Sequence, residues 1–230
     1  MSLFVNPRQF ADGEDLDAYP RDEERDAQLA AEAGADVLFA PTVDEVYPPG
    51  FGTTVEVTGL TDELCGAARP GHFAGVTTVV AKLFNMVAPE VAYFGQKDAQ
   101  QALVIRRLVR DLDMPVRVEV CPTVREPDGL ALSSRNAYLS PEERERASAL
   151  NRALRAAEAV VAAGSTGADD VLAAARTELQ QAGIEPEYLE LRSAKDLAPV
   201  ERVNGSTLLA VAAQVGRARL IDNTILTGDR

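Results

Sequence analysis

The sequence contains very little histidine and cysteine, two residue types that often bind metals or act as catalytic groups. Its 230 residues include one histidine, His72, and two well-separated cysteines, Cys65 and Cys121. A single histidine excludes any site within this sequence that needs two, and two distant cysteines exclude a four-cysteine zinc site. We expect both thiols to be small buried core residues in a reducing compartment, which favours a cytoplasmic protein.

Long apolar runs and an excess of positive charge are also missing. No apolar stretch reaches the ~18 residues of a membrane span, and the N-terminal residues lack the basic and apolar regions of a secretory signal. Lys and Arg total 23 against 36 Asp and Glu, a formal net charge of −13. Such a charge repels phosphate backbones, although a local positive cluster can still hold a small phosphate ligand. We therefore predict a globular protein with neither a membrane nor a nucleic-acid partner.

The first half of the sequence alternates strand-like and helix-like segments. Strands are predicted at 36–41, 53–58, 91–95 and 116–121, and helices at about 20–33, 73–87 and 98–112. Strands that alternate with helices of this length favour parallel pairing through right-handed crossovers, and hence an open doubly wound sheet. Ligands of such sheets bind beyond the carboxyl ends of the strands, and Gly95–Asp98 lies at one of these ends.

The second half has a different pattern. Ser140–Glu143 is a capping box that predicts the start of a long helix ending at Gly164. A further helix is predicted at about 168–181, and strands at about 187–192, 206–213 and 217–220. Helices followed by antiparallel strands predict a smaller α+β domain. We place the domains at residues 1–122 and 123–230.

Two segments are candidate anion sites. Lys97 is one of only three lysines, and it lies between a strand-ending glycine and the start of a helix. A lysine beside the N–H groups of a helix start attracts anions, but a tight turn with a solvent-facing lysine remains an alternative. Ser133, Ser134 and Arg135 offer two hydroxyls and a guanidinium, which suit phosphate oxygens. An ordinary polar loop is the alternative there.

Three further polar side chains are weaker candidates. His72 precedes an apolar helix, where a histidine is more often a cap or a packed ring than a catalytic group. Gln9 and Gln101 carry neutral amides that both donate and accept hydrogen bonds, which fits a ligand with a hydroxyl beside a carboxylate. Each glutamine by itself is typical of ordinary polar surface.

Six sequence blocks carry a resemblance to a known family. They are Phe4–Phe10, Asp15–Arg21, His72–Val76, Phe94–Asp98 with Gln100 and Gln101, Pro122–Glu126, and Ser133–Asn136. In their order and spacing they resemble the pantothenate synthetases, also called pantoate–β-alanine ligases. Any one block is a weak signal, but the ordered set is specific, and it extends from residue 2 to about residue 223.

The resemblance implies both a reaction and a fold. The family condenses (R)-pantoate with β-alanine through a pantoyl-adenylate, using ATP and Mg²⁺ and releasing AMP and pyrophosphate. Its α/β fold is a Rossmann-like, nucleotidyltransferase-type doubly wound parallel sheet with a second, smaller α+β C-terminal domain. The resemblance also implies a homodimer.

The resemblance assigns roles to matching residues. The ATP-binding residues are Gly95, Gln96, Lys97, Asp98, Val124, Leu132, Ser133, Ser134 and Arg135. Lys97, Arg135 and Ser133 would stabilise phosphate and transition-state charge. Gln9 would contact pantoate and β-alanine, and Gln101 would contact pantoate. No metal ligand is assigned.

The sequence departs from the family pattern in three places. Gln96 replaces the usual Glu, and Leu132 replaces the usual Met. The family also has a strand and an HxGH motif before the block that begins at Phe4, so we expect at least one βα unit, on the order of 30 residues, to be missing. His72 belongs to a different block and does not take over the role of an HxGH histidine. A misassigned start codon, a truncation and a true remnant are the three explanations.

The sequence is also compatible with two functional alternatives to an ATP-dependent ligase. A catalytically inactive remnant would act as a binding or assembly protein. Another adenylyl-transferring enzyme would use a different acid, although Gln9 and Gln101 fit the pantoate pattern better.

Overall fold

Helices and strands alternate in the first part of the chain and are separated in the second. The computed structural model describes residues 1–11 and 13–228. The helices are α1 Glu23–Glu32, α2 Val43–Val46, α3 Leu64–Ala68, α4 His72–Val87, α5 Ala99–Asp111, α6 Pro141–Ala147, α7 Ala149–Ala162 and α8 Ala168–Gln181. The strands are β1 Val91–Gly95, β2 Arg117–Cys121, β3 Pro186–Ser193, β4 Gly205–Val215 and β5 Ala218–Gly228. None of these described helices is long and apolar enough to cross a membrane.

The chain divides into two compact units. The first unit is Met1–Val91 with Val104–Arg117, and the second is Ala92–Leu103 with Val118–Arg230. The segment β1–α5–β2 is a βαβ crossover, and β1 and β2 are neighbours in a sheet. This parallel sheet and the C-terminal antiparallel sheet confirm the predicted nucleotidyltransferase-like α/β fold.

Helix α4 is the main apolar helix of the first unit. Its apolar residues recur at helical spacing, so one face buries Phe73, Val76 and Val80. The helix ends at Ala88, which adopts a left-handed conformation just before Pro89. Proline disfavours helical backbone in the residue before it, which explains why the helix stops there. The predicted bounds of this helix are therefore confirmed at its C-terminal end.

The second unit has its core between two helices and an antiparallel sheet. The strand order is β3-β4-β5, and β4 pairs with both neighbours. Helices α7 and α8 pack on this sheet, and the shared core contains the buried side chains of Leu154, Leu179, Leu209 and Val211. Helix α6 begins at the predicted capping box, in which Ser140 Oγ accepts from the Glu143 N–H at 3.2 Å.

Two predicted strands of the first unit are wrong. Residues 36–41 form no strand, because the segment pairs only through a single parallel bridge between Ser2 and Phe39. Val37, which lies in the predicted buried strand, is 70% exposed. Residues 53–58 also lack strand pairing. The Val55 N–H donates to Thr78 Oγ1 at 3.0 Å, and the hydroxyl of Thr77 donates to Val55 O. Side chains of α4 thus take the place of a neighbouring strand.

Three further predictions need correction in the second unit. The predicted single helix to Gly164 breaks at Ser148, whose hydroxyl donates to Glu145 O at 2.7 Å and so competes for backbone hydrogen bonds. The last strand extends to Gly228 rather than ending at Leu220, because β4 pairs with it along its whole length. Cys121 is exposed at the end of β2, whereas Cys65 is buried as expected.

Candidate active site

In the first unit, the Asn6–Gln9 segment is held against the start of α4. Gly75 makes this approach possible, because a Cβ at this position would lie 2.1 Å from Arg8 O. The buried Asn6 side chain donates through Nδ2 to Gly75 O at 3.0 Å and accepts from the Tyr47 hydroxyl at 2.8 Å. The backbone of Gln9, a residue predicted to bind substrate, therefore has a defined position.

The backbone carbonyl of Gln9 is bound by two side chains. His72 Nδ1 lies 2.7 Å from Gln9 O, and Arg69 Nη2 donates to the same oxygen at 3.1 Å. Because a carbonyl only accepts, the His72 proton is on Nδ1, and Nε2 is left to accept from Arg69 Nη1 at 3.3 Å. His72 is therefore a packed, hydrogen-bonded ring that orients Gln9, as the sequence predicted for a histidine in this position.

Arg69 is itself held by a carboxylate. Its Nε and Nη2 atoms donate to the two oxygens of Glu14 at 2.7 and 2.5 Å. Burial by itself raises the pKa of Glu14, but the hydrogen bonds and charge of Arg69 outweigh that effect and hold the pKa below its usual range. Glu14 thus remains ionised near neutral pH and neutralises the guanidinium that binds Gln9.

In the second unit, the predicted phosphate loop is a 3₁₀ turn between β1 and α5. It comprises Gln96–Asp98 and follows Gly95, which has extended backbone. Lys97 has a side chain 22% exposed, and its Nζ lies 3.7 Å from Asp98 Oδ1, beyond hydrogen-bond range. The carbonyls of Gln96 and Lys97 accept from Asn223 Nδ2 at 2.9 and 2.8 Å. This turn therefore presents a weakly paired lysine beside the N-terminus of a helix.

The second predicted ATP segment is a hairpin that continues into a 3₁₀ turn. The Leu132 N–H donates to Val124 O at 2.9 Å, and both side chains are exposed, at 56% and 65%. The turn Ser134–Tyr138 follows, and Ser133 caps it by accepting from the Arg135 N–H at 3.3 Å. Two apolar side chains thus lie at the exposed mouth of a loop that carries two hydroxyls and an arginine.

The Ser134–Tyr138 turn is anchored by its own residue Asn136, which follows Arg135. Asn136 Nδ2 donates to Glu126 Oε1 at 2.7 Å and to Ala131 O at 3.1 Å. Arg144 donates to Glu126 Oε2 at 2.6 Å, and its Nε lies 2.8 Å from Asp128 Oδ2. The hydrogen bond from Arg144, followed by that from Asn136, holds the pKa of Glu126 below its usual range.

The predicted site residues fall into two groups. Gln9 belongs to the first unit, whereas Gln101, in α5, and both predicted ATP loops belong to the second. Sequence reasoning missed Asp222 and Asn223, the strand residues that contact both loops. The sequence Asp-Asn, which follows Leu-Ile and precedes Thr-Ile-Leu, was the signal for them, but the predicted strand ended at Leu220 and left them out.

A family model and curated relatives match almost the whole chain. The family model described as Pantoate-beta-alanine ligase matches residues 1–225. The pantothenate synthetase of Moorella thermoacetica is 55% identical over 227 residues, covering 98% of this chain and 80% of that protein. That of Geobacter sulfurreducens is 53% identical over 229 residues, with the same coverage of 98% and 80%.

Solved structures match the fold as well. A pantothenate synthetase from Thermus thermophilus has a TM-score of 0.95 and 52% identity, covering 97% of this chain and 81% of that chain. A pantoate-beta-alanine ligase from Francisella tularensis, complexed with beta-gamma ATP and beta-alanine, has a TM-score of 0.78 and 34% identity, covering 97% and 77%. The chain therefore belongs to the pantoate–β-alanine ligase family, as its six sequence blocks indicated.

Proposed function

We propose that this protein joins (R)-pantoate to β-alanine, consuming ATP and releasing AMP and pyrophosphate. The observation that carries the proposal is the second unit's pair of anchored loops, Gly95–Asp98 and Val124–Arg135, in a chain that matches the ligase family over residues 1–225. ATP and β-alanine as substrates are supported by the ligands of the Francisella tularensis enzyme. Nothing in the comparisons supports the alternative of an inactive binding or assembly protein.

ATP would bind to the two loops of the second unit. The backbone of the Gly95–Asp98 turn and the Lys97 ammonium would contact the phosphates, because a helix start and a cation both favour anions. Val124 would contact the adenine side of the nucleotide through its backbone, and Leu132 would lie with the following serines at the phosphates; the exposure of both residues fits contact with a ligand. Ser133, Ser134 and Arg135 would hold the remaining phosphate oxygens, with Arg135 donating two parallel hydrogen bonds.

Pantoate would be oriented by the two glutamine amides. Gln9 and Gln101 each offer a donor and an acceptor, which suits the adjacent hydroxyl and carboxylate of this acid. The carbonyl of Gln9 is fixed by Arg69 and His72, so little freedom remains at its Cα. We also assign β-alanine to the neighbourhood of Gln9.

The reaction needs charge stabilisation and alignment rather than a protein nucleophile. A pantoate carboxylate oxygen bonds to the α-phosphorus as the bond to pyrophosphate breaks, and negative charge grows on the leaving group. The β-alanine amine then attacks the acyl carbon of the pantoyl-adenylate, and AMP leaves as the nitrogen loses its proton. Lys97, Arg135 and Ser133 would stabilise the growing charge, which accounts for the lack of a nucleophile constellation.

The remaining features of the proposal concern Mg²⁺, assembly and domains. Residues 1–11 and 13–228 contain no group of three His, Cys, Asp or Glu side chains arranged to hold a metal ion. Mg²⁺ commonly binds through substrate phosphates with few protein ligands, so we propose that it arrives as the ATP complex.

We further propose a homodimer in the cytoplasm, with a nucleotide- and pantoate-binding domain at 1–122 and a C-terminal domain at 123–230.

AMP release tests the proposed function directly. The 230-residue chain is incubated with ATP, Mg²⁺, pantoate and β-alanine, and AMP and pyrophosphate are measured with each substrate omitted in turn. We expect release that depends on both pantoate and β-alanine. Lys97→Ala should lower the rate by roughly 10²–10³, as removal of a preorganised charge-stabilising group does. No AMP from the unmodified chain, or AMP independent of pantoate, would contradict the proposal.

A matched lysine controls for the loss of charge itself. Lys195 lies in an exposed turn of the second unit, so Lys195→Ala changes the net charge by the same amount as Lys97→Ala. We expect Lys195→Ala to retain the unmodified rate. An equal loss in both variants would show that overall charge, rather than the position of Lys97, controls the rate.

A further inference from the structure

Both polar atoms of the Asn223 side chain form hydrogen bonds with one turn of the chain, Gln96–Asp98. Asn223 is buried in β5, and its Nδ2 atom donates to the carbonyls of Gln96 and Lys97 at 2.9 and 2.8 Å. Its Oδ1 atom accepts from Gln96 Nε2 at 2.9 Å. An asparagine amide has two N–H donors, and here they bind two successive peptide groups. No charged residue can make this combination, because it needs donors and an acceptor together.

These contacts also determine where the N–H groups of the turn point. A trans peptide is planar, with its C=O and N–H directed oppositely, and the described chain has no cis peptide. Holding the carbonyls of Gln96 and Lys97 against Asn223 therefore directs the N–H groups of Lys97 and Asp98 away from β5. The turn then has fixed N–H donors beside the Lys97 side chain.

The preceding residue of β5 holds the other loop. Successive side chains of a strand point to opposite faces, so Asp222 and Asn223 reach different neighbours. The buried Asp222 carboxylate accepts from Arg125 Nη1 and Nη2 at 2.6 and 3.0 Å. Arg125 also donates to Gly129 O at 3.1 Å, and its backbone forms a bridge with Ala131. The hairpin between Val124 and Leu132 is thereby fixed to the strand.

We propose that Asp222 and Asn223 are positioning residues for ATP, through which one strand sets the placement of both nucleotide-contacting loops. Neither residue needs to contact the nucleotide: Asn223 acts through the Gln96 and Lys97 backbone, and Asp222 acts through Arg125. This inference rests on the proposed function, because that proposal assigns the two loops to ATP.

Substitutions at Asn223 test the inference with an ATP-specific readout. Asn223→Asp is nearly isosteric but loses both N–H donors and turns a carboxylate toward two carbonyls. Asn223→Ser removes the paired donors without adding charge. For each variant, kcat, the KM for ATP and the KM for β-alanine are measured, together with calorimetric binding of a non-hydrolysable ATP analogue and Tm.

We expect a selective loss in both variants. The KM for ATP and the Kd of the analogue should rise at least tenfold, and kcat should fall by up to about 10²-fold, as a misplacement near 1 Å can cause. The KM for β-alanine should stay within twofold. Asp222→Asn, which keeps the shape but removes the charge that pairs with Arg125, should raise the KM for ATP in the same selective way.

Thr224→Ala is the matched control. Thr224 is the next residue of β5, and its hydroxyl donates to Glu158 Oε1 at 2.6 Å instead of contacting either loop. This variant loses a side-chain hydrogen bond from the same strand, so it measures the general cost of weakening β5. We expect its ATP parameters to equal those of the unmodified chain.

Several outcomes would overturn the inference. Folded Asn223 variants with an unchanged KM for ATP, or with equal increases for ATP and β-alanine, would exclude selective positioning. Failure of both variants to fold would assign Asn223 a purely structural role. If the unmodified chain released no AMP, the proposed function would fail, but analogue binding by the chain and its variants would still decide the role of Asn223.

Discussion

The close approach of α4 to the Asn6–Gln9 segment leads to a quantitative prediction for Gly75→Ala. The new Cβ would lie 2.1 Å from Arg8 O, 2.5 Å from Arg8 C and 2.8 Å from the Gln9 backbone nitrogen. All three atoms belong to backbone, so no side-chain rotation relieves the overlap. Reaching the 3.4 Å lower limit of an ordinary contact requires a movement of about 1.3 Å.

Stability and activity should respond differently to this movement. Overpacking of this kind costs about 1–3 kcal/mol. Alanine in a helix interior is better than glycine by roughly 1 kcal/mol, which offsets part of that cost. The net loss of unfolding free energy should therefore be at most about 2 kcal/mol. A displacement above 1 Å at Gln9 should instead lower kcat/KM for pantoate by about 10²-fold.

The assay compares kcat/KM for pantoate and for ATP with the denaturation midpoint. Gly167→Ala is the control, because a Cβ there meets only Asp170 Oδ2 at 3.9 Å and its φ of −65° suits any residue. We expect Gly167→Ala to leave both kinetic quantities unchanged. Its denaturation midpoint should fall only slightly, because glycine is a better N-cap residue for α8 than alanine. The reasoning would be refuted if Gly75→Ala folded and used pantoate as well as the control does, since Gly75 would then not determine the position of Gln9.

Three further predictions concern stability and thiol chemistry. Glu14→Gln should reduce the loss of unfolding free energy at acid pH. A carboxyl whose pKa is lowered by folding stabilises the folded state above its unfolded pKa and loses that contribution as the pH falls through the folded-state pKa. An unchanged pH profile would contradict this. Ser140→Ala should cost about 1 kcal/mol by removing the cap of α6, measured by chemical denaturation. Replacing Cys65 and Cys121 with Ala should leave AMP release unaffected, whereas a large loss of rate would reveal thiol chemistry.

Several helices and strands could be predicted because their signals are local. Helix α8 lies at its predicted residues, and β1 matches its predicted range 91–95, because apolar periodicity and flanking glycines act within one segment. The strands predicted at 36–41 and 53–58 failed for a different reason. A strand needs a partner, and in this structure Val55 finds side chains of α4 while Phe39 finds a single bridge. Nothing within either segment encodes that outcome.

In the candidate site, too, residues with local sequence signals were predicted, whereas residues that act through tertiary contacts were not. Lys97 and the Ser133–Arg135 segment were identified because their own residue types suit phosphate and their positions follow strand and loop signals. Asp222 and Asn223 act over more than ninety residues of sequence separation, since Asp222 binds Arg125 and Asn223 binds the Gln96–Lys97 backbone. Hydrogen bonds of that kind depend on tertiary structure and leave no periodic pattern.

The charge balance of the molecule explains how an acidic chain can provide an anion site. The net charge of −13 belongs to the sequence as a whole, and two arginines beside the candidate loops do little to counter it. Arg125 pairs with the buried Asp222 and Arg144 with the half-buried Glu126, each at 2.6 Å, so the charges of both arginines are largely neutralised. Lys97 differs, because its carboxylate neighbour Asp98 lies 3.7 Å away and is 45% exposed. Solvent weakens that pairing, which leaves the ammonium available to a phosphate. The paired Arg125 and Arg144 thus determine the shape of the site, whereas Lys97 with its helix N-terminus, together with Arg135, would supply its positive potential.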